Sequence, residues 1–296
     1  MKLLVIGANG QVGWELTRSL MPLGSVFAVD RHGCDLTCPE DIQRIVRAVQ
    51  PNVIINAAAY TAVDKAEQEE VLAHTINGTA AGVIAEEAKK ANALLIHYST
   101  DYVFDGSKHM PYSEEDIPNP INSYGRSKLA GETAIIESQC DHLILRTSWV
   151  YALRAQNFVK TILRLAQERE ELRIIDDQIG APTWARSIAD ATAHIIRQAQ
   201  YERKIGNFEA GIFNLASSGS TSWYGFARMI VETAKSLPLG DAIKLREIHP
   251  IPTESYPLPA PRPKNSRLDN EKLLQRFNLK MPEWQAAFAC CMQESN

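Results

Sequence analysis

The sequence predicts an α/β protein, a doubly wound parallel sheet with a smaller lobe at its C-terminal end. Three observations lead there. Short, almost wholly apolar runs such as "LLVIGA" and "NVIINAAAY" suit strands covered on both faces. These runs alternate with segments whose apolar residues recur at helical spacing. The chain has 296 residues, enough for a large domain with an appended lobe.

Taken in order, "LLVIGA" is the first strand. Val12, Leu16 and Leu20 then recur at helical spacing until Pro22 and Gly24 end the helix. "VFAVD" is the second strand. "TCPEDIQRIVRAVQP" reads as a helix, with Thr37 and Glu40 in capping-box relation and Ile42, Ile45, Val46 and Val49 on one face. "NVIINAAAY" is the third strand, "VLAHTINGTAAGVIAEEAKKA" a long helical region, and "ALLIHYSTDYVF" the fourth strand. A polar, proline-rich loop leads to the helix "SYGRSKLAGETAIIES" and the strand "HLILRTSWVY". Beyond about residue 150 the pattern loosens. "NFVKTILRLAQERE" and "SIADATAHIIRQAQ" read as helices, "LRIIDDQIGAPT" as strand and loop, and "GIFNLAS" as a further strand. Pro250 to Pro263 holds six of the 15 prolines and must be extended or irregular, as a wrapped binding loop or a surface linker. The expected division is a dinucleotide domain over 1–150, to which 184–216 returns, and a substrate lobe from 151–183 and 217–296.

Bulk composition removes several classes of function. Hydrophobic residues make up 45% and charged residues 22%, ordinary globular values. A net charge of −4 with no Lys/Arg run argues against nucleic acid as a partner. The apolar runs are far shorter than a membrane span, and glycines interrupt the one at the start, so no membrane is expected and a cytoplasmic protein is. The five cysteines, Cys34, Cys38, Cys140, Cys290 and Cys291, form no CxxC pair and read as free thiols in a reducing compartment. His74, His97, His194 and His249 lack ligands at metal spacing, and Trp223 and Tyr224 read as packing residues.

Two constellations carry chemistry. Gly7, Gly10 and Gly13 follow a strand and open a helix. Gly7 permits a tight turn, Gly10 lets a pyrophosphate approach free N–H groups at the helix N-terminus, and Gly13 lets helix and strand pack closely. Asp30 ends the second strand where it can bind an adenosine ribose, while the adjacent Arg31 suits a 2′-phosphate. The two point opposite ways, so either NADH or NADPH is expected. The second constellation is "YGRSK", which sets Tyr124 and Lys128 on one helical face behind the strand end "STDYVF". Ketone reduction needs hydride at carbon and a proton at oxygen. Tyr124 can supply the proton if Lys128 lowers its pKa, and Thr100 can polarise the carbonyl.

The glycine loop, "NAAAYT", "STDYVF" and "YGRSK" resemble the extended short-chain dehydrogenase/reductase family, which carries a Rossmann-type fold. "VDKAE", "RTSWVY", "NFVKTILRLA", "DQIGAPT", "TSWYGFA" and "RPKNSRL" narrow the resemblance to its dTDP-4-dehydrorhamnose reductase branch, over essentially the whole chain. That resemblance implies hydride transfer from NADPH or NADH to C4 of dTDP-4-dehydro-6-deoxy-L-mannose, giving dTDP-L-rhamnose. It implies Thr100, Tyr124 and Lys128 as the catalytic set. Gly7, Gly10, Gln11, Val12, Asp30, Arg31, Asp35, Leu36, Ala57, Ala58 and Ala59 would line the cofactor, with Tyr124 and Lys128 touching it. Val63, Thr100, Asp101, Tyr102, Val103 and Trp149 would face the sugar. Arg262 and Asn265 would reach the nucleotide, a guanidinium fork suiting a diphosphate. Bacterial members are associated with Mg²⁺ between carboxylates at a dimer contact. Glu15 and Asp190 are present, but Arg186 replaces a glutamate of the pattern, which argues against the metal and leaves a homodimer open. Related dehydratases use Thr-Asp-Glu where this chain has Thr100-Asp101-Tyr102, which favours simple reduction. An epimerase, another sugar-nucleotide reductase, and a regulatory subunit that binds NADP without catalysis are the remaining alternatives.

Overall fold

The molecule, seen in a computed structural model that describes residues 1–294, is built on strands and helices in strict alternation through its first half. These are β1 (Lys2–Ile6), α1 (Gln11–Ser19), β2 (Ser25–Val29), α2 (Pro39–Val49), β3 (Val53–Asn56), α3 (Ala80–Lys90), β4 (Leu94–Thr100), α4 (Ser123–Ser138) and β5 (His142–Thr147). The second half contributes α5 (Phe158–Glu168), β6 (Glu171–Ile175), α6 (Ala185–Ile205), β7 (Gly211–Asn214), α7 (Trp223–Lys235), β8 (Glu247–Ile251), α8 (Glu271–Phe277) and α9 (Trp284–Gln293). Six strands form one parallel sheet in the order β7-β5-β4-β3-β1-β2. Strand order reverses at β1, between β2 and β3, which is where a doubly wound Rossmann-type sheet opens its ligand crevice.

Both faces of the sheet are buried, as the unbroken apolar runs require. Leu3 and Val5 of β1 point to one side, where Leu16, Leu20, Ile188, Ile195 and Phe213 cover them. Leu4 and Ile6 point to the other, against Ile42, Val46, Ile84, Ala85 and Ile135. Helix α6 lies on α1, and β7 adds to the sheet edge beside β5. A separate core of Tyr151, Val159, Ile162, Trp184, Phe226, Ile230, Trp284 and Phe288 holds α5, α7 and α9 together. Parallel pairing of β6 with β8 joins Ile175 to Ile251 at the start of the proline-rich segment.

Local chemistry differs from the sequence expectation at one helix start. The capping box of Thr37 and Glu40 does not form: Cys38 is the N-cap of α2 and makes no side-chain cap. Asp35 takes both the backbone N–H and the hydroxyl of Thr37, at 2.9 and 2.8 Å. An aspartate two residues upstream offers a shorter local turn than the box does.

Candidate functional site

The glycine loop is a cradle that side chains would fill. Gly7 sits at φ +93°, and a Cβ there would lie 2.7 Å from the Ala58 nitrogen. A Cβ on Gly13 would lie 2.0 Å from the Gly7 carbonyl oxygen. Gly10 caps α1 with no side chain, so the first N–H groups of the helix stay open to an anion. Beyond the loop lies a cavity of about 620 Å³, lined by Gly7, Gly10, Gln11, Val12, Asp30, Arg31, Asp35, Leu36, Ala57, Ala58, Ala59, Tyr124 and Lys128 among others. These residues fit a dinucleotide. Asp30 Oδ1 accepts from the His32 N–H at 3.0 Å and Oδ2 from Asn9 at 2.7 Å, which holds the carboxylate at the cavity rim. Hydrogen bonding from the Gly33 N–H keeps its pKa below the ordinary value. Arg31 reaches toward Asp35 at 3.8 Å with most of its side chain in solvent.

Tyr124 and Lys128 come to this cavity on the first turns of α4. Asn122 caps that helix by accepting from the Gly125 N–H at 2.8 Å, and its amide donates to the Pro261 carbonyl at 2.8 Å. One side chain thus sets both the helix start and the proline-rich segment. A π-helical turn, Thr75–Thr79, precedes α3 and turns Asn77 inward. Asn77 holds the Tyr60 N–H at 2.8 Å and the Ser127 hydroxyl at 2.9 Å, bracing the "NAAAY" loop against α4. Thr100 ends β4, where its hydroxyl interacts with the Tyr124 phenol.

The electrostatics depart from the sequence expectation. Burial pushes the Tyr124 phenol up to about 12, against the pull of Thr100, and Lys128 does not lower it. Lys128 is itself brought down to about 8 by burial, with Glu132 acting the other way. Its Nζ donates to the Tyr98 carbonyl at 2.7 Å and meets His97 Nε2 at 3.2 Å. An ammonium lowers a phenol only if it is turned toward it, and this one is engaged by the Tyr98 carbonyl and His97. Thr100 also differs: its hydroxyl donates to Asp101 Oδ1 at 3.0 Å and accepts from the Tyr102 N–H at 3.1 Å. Asp101 is buried, its Oδ2 has no hydrogen-bond partner, and desolvation pushes its carboxyl up to about 6 despite Ser266 and Thr100.

Tyr102 packs edge-on against Tyr124, ring centroids 5.7 Å apart. Val63 opens the short helix Val63–Ala66 and is half-buried. Trp149 stacks on Trp223 with centroids 3.5 Å apart, so Trp223, read from the sequence as packing alone, backs a residue expected at the sugar. Three expected contacts are committed to the protein itself. Val103 is fully enclosed with Phe104, Tyr112 and Leu268 and presents no surface. Arg262 closes its fork on Asp64 at 2.6 and 2.8 Å, because a half-buried carboxylate lies within its reach. Asn265 donates to the Lys108 and Met110 carbonyls at 2.7 and 2.8 Å, pinning that loop. Both Arg262 and Asn265 nonetheless border a second cavity of about 510 Å³, which Lys108, Lys264 and Arg267 also line.

Ser99 and Thr147 escaped the sequence reading. Both line the larger cavity, and their buried hydroxyls lack partners in the protein. The signal was available: β3, β4 and β5 end on Asn56, Thr100 and Thr147, polar residues at the carboxyl edge of a parallel sheet.

A divalent cation does not fit between the carboxylates of α1 and α6. Arg186 donates to Glu15 Oε2 at 3.0 Å and pairs with Glu294, so a guanidinium already occupies the position. Asp190 accepts instead from the Ser19 hydroxyl at 2.6 Å. Among the described residues no cluster of three or more His, Cys, Asp or Glu side chains could hold a metal. No described helix is long and apolar enough to cross a membrane. The five cysteines are free, and burial pushes Cys34 up to about 11 and Cys291 up to about 12, too weakly acidic for nucleophiles.

Comparison with known proteins agrees with this geometry. The family model described as RmlD substrate binding domain matches residues 1–296. The chain is 52% identical to the dTDP-4-dehydrorhamnose reductase of Burkholderia thailandensis, covering 99% of both chains. It is 48% identical to that of Escherichia coli K12, covering 99% of this chain and 98% of the relative. The crystal structure of dTDP-4-dehydrorhamnose reductase from Bacillus anthracis in complex with NADP superposes with a TM-score of 0.87 at 36% identity, covering 99% of each chain.

Proposed function

We propose that this chain, which belongs to the dTDP-4-dehydrorhamnose reductase family, reduces the C4 ketone of dTDP-4-dehydro-L-rhamnose to dTDP-L-rhamnose with NADPH or NADH. One observation supports the assignment: Tyr124 and Lys128 line the cavity that begins at the glycine loop, and the Thr100 hydroxyl interacts with the Tyr124 phenol. When bound, the dinucleotide supplies the hydride. The protein's part is to hold the ketone and deliver a proton to its oxygen.

Tyr124 is the proton donor. With its phenol held up at about 12, it is fully protonated at neutral pH and ready to act as an acid. Thr100 contacts the ketone oxygen by turning its hydroxyl away from Asp101. Lys128 faces the ribose side of the cavity. Ser99 and Thr147 supply unpartnered hydroxyls to the same wall. Gly7, Gly10, Gln11, Val12, Asp30, Arg31, Asp35, Leu36 and Ala57 to Ala59 form the rest of the dinucleotide site. Asp30 and Arg31 together admit either cofactor.

The sugar nucleotide is the small-molecule partner. Val63, Asp101, Tyr102 and Trp149 lie on the sugar side, Val103 acting only as the packing behind them. The smaller cavity takes the nucleotide end. Its cationic lining of Lys108, Arg262, Lys264 and Arg267 suits a diphosphate. We assign 1–150 with 184–216 to the dinucleotide domain, which the packing of α6 on α1 supports, and 151–183 with 217–296 to the substrate lobe. Five free thiols suit a cytoplasmic enzyme.

The test is turnover of dTDP-4-dehydrorhamnose with each nicotinamide cofactor, followed at the reduced nicotinamide band. One equivalent of cofactor is expected to be oxidised per keto sugar. An epimerase would oxidise none, and a regulatory subunit would bind the cofactor and turn over nothing. Tyr124→Phe is expected to lower kcat at least ~100-fold while dinucleotide affinity, read by fluorescence titration, stays within about threefold. Loss of affinity in that variant would remove the assigned role.

A further inference from the structure

A short segment between β5 and α5 is tied to the start of α1 through contacts that the proposed reaction does not use. Asn157 is the N-cap of α5, its Oδ1 accepting from the Lys160 N–H at 3.1 Å. Its amide nitrogen donates to the Ala152 carbonyl at 2.7 Å and to Gln11 Oε1 at 2.8 Å, with the Arg154 carbonyl further off at 3.2 Å. Earlier in the same segment, Arg154 lies over the Trp14 ring, 3.4 Å from its centroid. Between the two ties Ala155 stands at φ +59°, which a non-glycine residue keeps only where its surroundings fix it. Ala155 and Gln156 line the dinucleotide cavity, together with Gln11 and Val150.

The amide orientations follow from groups that have one role only. A backbone N–H can only donate, and a backbone carbonyl can only accept. The Lys160 N–H therefore fixes the Asn157 oxygen, and the Ala152 carbonyl fixes its NH₂. The Gln11 atom that meets this NH₂ must accept, so it is the oxygen. The Gln11 NH₂ is thereby turned the other way, where it meets the Val150 carbonyl at 3.4 Å, beyond the usual length of such a bond. That single long contact among the described residues leaves hydrogen-bonding capacity at the cavity wall. Gln11 is the first residue of α1, beside the open N–H groups where a diphosphate is expected.

We propose that Asn157 is a positioning residue for the dinucleotide: reaching across from the substrate lobe, it takes up Gln11 Oε1 and so presents the Gln11 NH₂ as a donor to the diphosphate. The inference rests on reading the cavity as a dinucleotide site. An untethered Gln11 can turn its oxygen to the same place, and a carbonyl oxygen beside a diphosphate repels it. The tether also orders a long side chain before the cofactor arrives, so binding does not have to immobilise it. Arg154 keeps the segment against α1 from its other end, as a cation over the Trp14 face.

The test is a double-mutant cycle on the full-length protein, with NADPH affinity read by fluorescence titration. Serine caps a helix about as well as asparagine, so Asn157→Ser keeps the start of α5 while removing the reach to Gln11. Gln11→Ala is expected to weaken NADPH binding at least ~10-fold and Asn157→Ser at least ~5-fold, since a hydrogen bond to a charged group is lost or misaligned. The double variant should bind within about twofold of Gln11→Ala alone. Losses that multiply, or wild-type affinity in Asn157→Ser, would overturn the proposal, because a residue that only caps α5 has no reason to act through Gln11. Should Asn157→Ser fail to fold, Gln11→Glu decides. It keeps an oxygen for Asn157 and replaces the NH₂ with a second oxygen, so a loss of at least ~10-fold is expected and an unchanged affinity refutes the inference. Wild-type protein that binds neither NADPH nor NADH would instead refute the dinucleotide reading, and the inference with it.

Discussion

Asp101→Asn should make the protein more stable at alkaline pH and not at acid pH. Asp101 is 4% exposed and its Oδ2 has no partner, so ionising it means holding a charge out of water. Its carboxyl is raised from 3.8 to about 6, a difference of about 2 units, or ~3 kcal/mol at 1.36 kcal/mol per unit. The sign follows from linkage. Because the folded value lies above the unfolded one, the carboxyl costs stability fully above about pH 6 and progressively less as pH falls toward 4. Asparagine keeps an oxygen for the Thr100 hydroxyl and carries no charge at any pH. At pH 8 the variant should therefore gain about 3 kcal/mol. At pH 4, where the wild-type carboxyl is protonated in the folded state and about half ionised in the unfolded one, it should gain less than about 1 kcal/mol. For a chain of this size the gain amounts to a Tm shift of roughly 6 °C at ~2 °C per kcal/mol. Thermal unfolding of both proteins across pH 4–8, by circular dichroism, measures it. A Tm difference that is constant with pH, or that favours the wild type at pH 8, would refute the reasoning. The same variant should turn over more slowly, since Thr100 is then held by a group that cannot take up a proton.

Gly13→Ala places a Cβ 2.0 Å from the Gly7 carbonyl oxygen, a backbone contact that only a shift of the loop relieves. Dinucleotide affinity should fall at least ~10-fold by fluorescence titration, with far-UV circular dichroism unchanged. Arg262→Ala leaves Asp64 without its bidentate partner and frees the proline-rich segment from the Val63–Ala66 helix. KM for the sugar nucleotide should rise at least ~10-fold in steady-state kinetics while kcat changes by less than about threefold. Because the Arg186 guanidinium stands between Glu15 and Glu294, chelator should alter neither turnover nor mass in solution, by assay and by light scattering.

The sheet was legible because its strands are buried on both faces, and burial writes itself as unbroken apolar runs. β1, β3 and β5 are visible in "LLVI", "VIIN" and "LILRT". The glycine loop was legible because each glycine answers a steric demand of the backbone, and such demands are local. What escaped depends on groups distant in sequence. Nothing near Arg262 shows that Asp64, 198 residues away, will take its fork. Nothing near Trp149 shows that Trp223 will lie flat against it. The pKa of Tyr124 was misjudged for the same reason. Proximity to Lys128 along the helix is a sequence fact, but burial and the direction of the lysine's hydrogen bonds are set by β4.

The chemistry the site can support is narrower than its fold. Elimination or epimerisation through carbon requires a group that removes a proton from carbon. Where related dehydratases carry a glutamate, this chain has Tyr102. Burial pushes that phenol well above its ordinary range, with Asp101 adding to the effect, so it cannot act as a base at neutral pH. Of the carboxyls beside it, Asp101 already receives the Thr100 hydroxyl and Asp64 is held by Arg262. Tyr124 retains its proton beneath the same burial. The reacting wall thus holds a protonated phenol, a hydroxyl and a lysine held by the Tyr98 carbonyl, which can give a proton to a developing alkoxide but have little power to take one from carbon. Hydride addition to a ketone needs the first capacity and not the second.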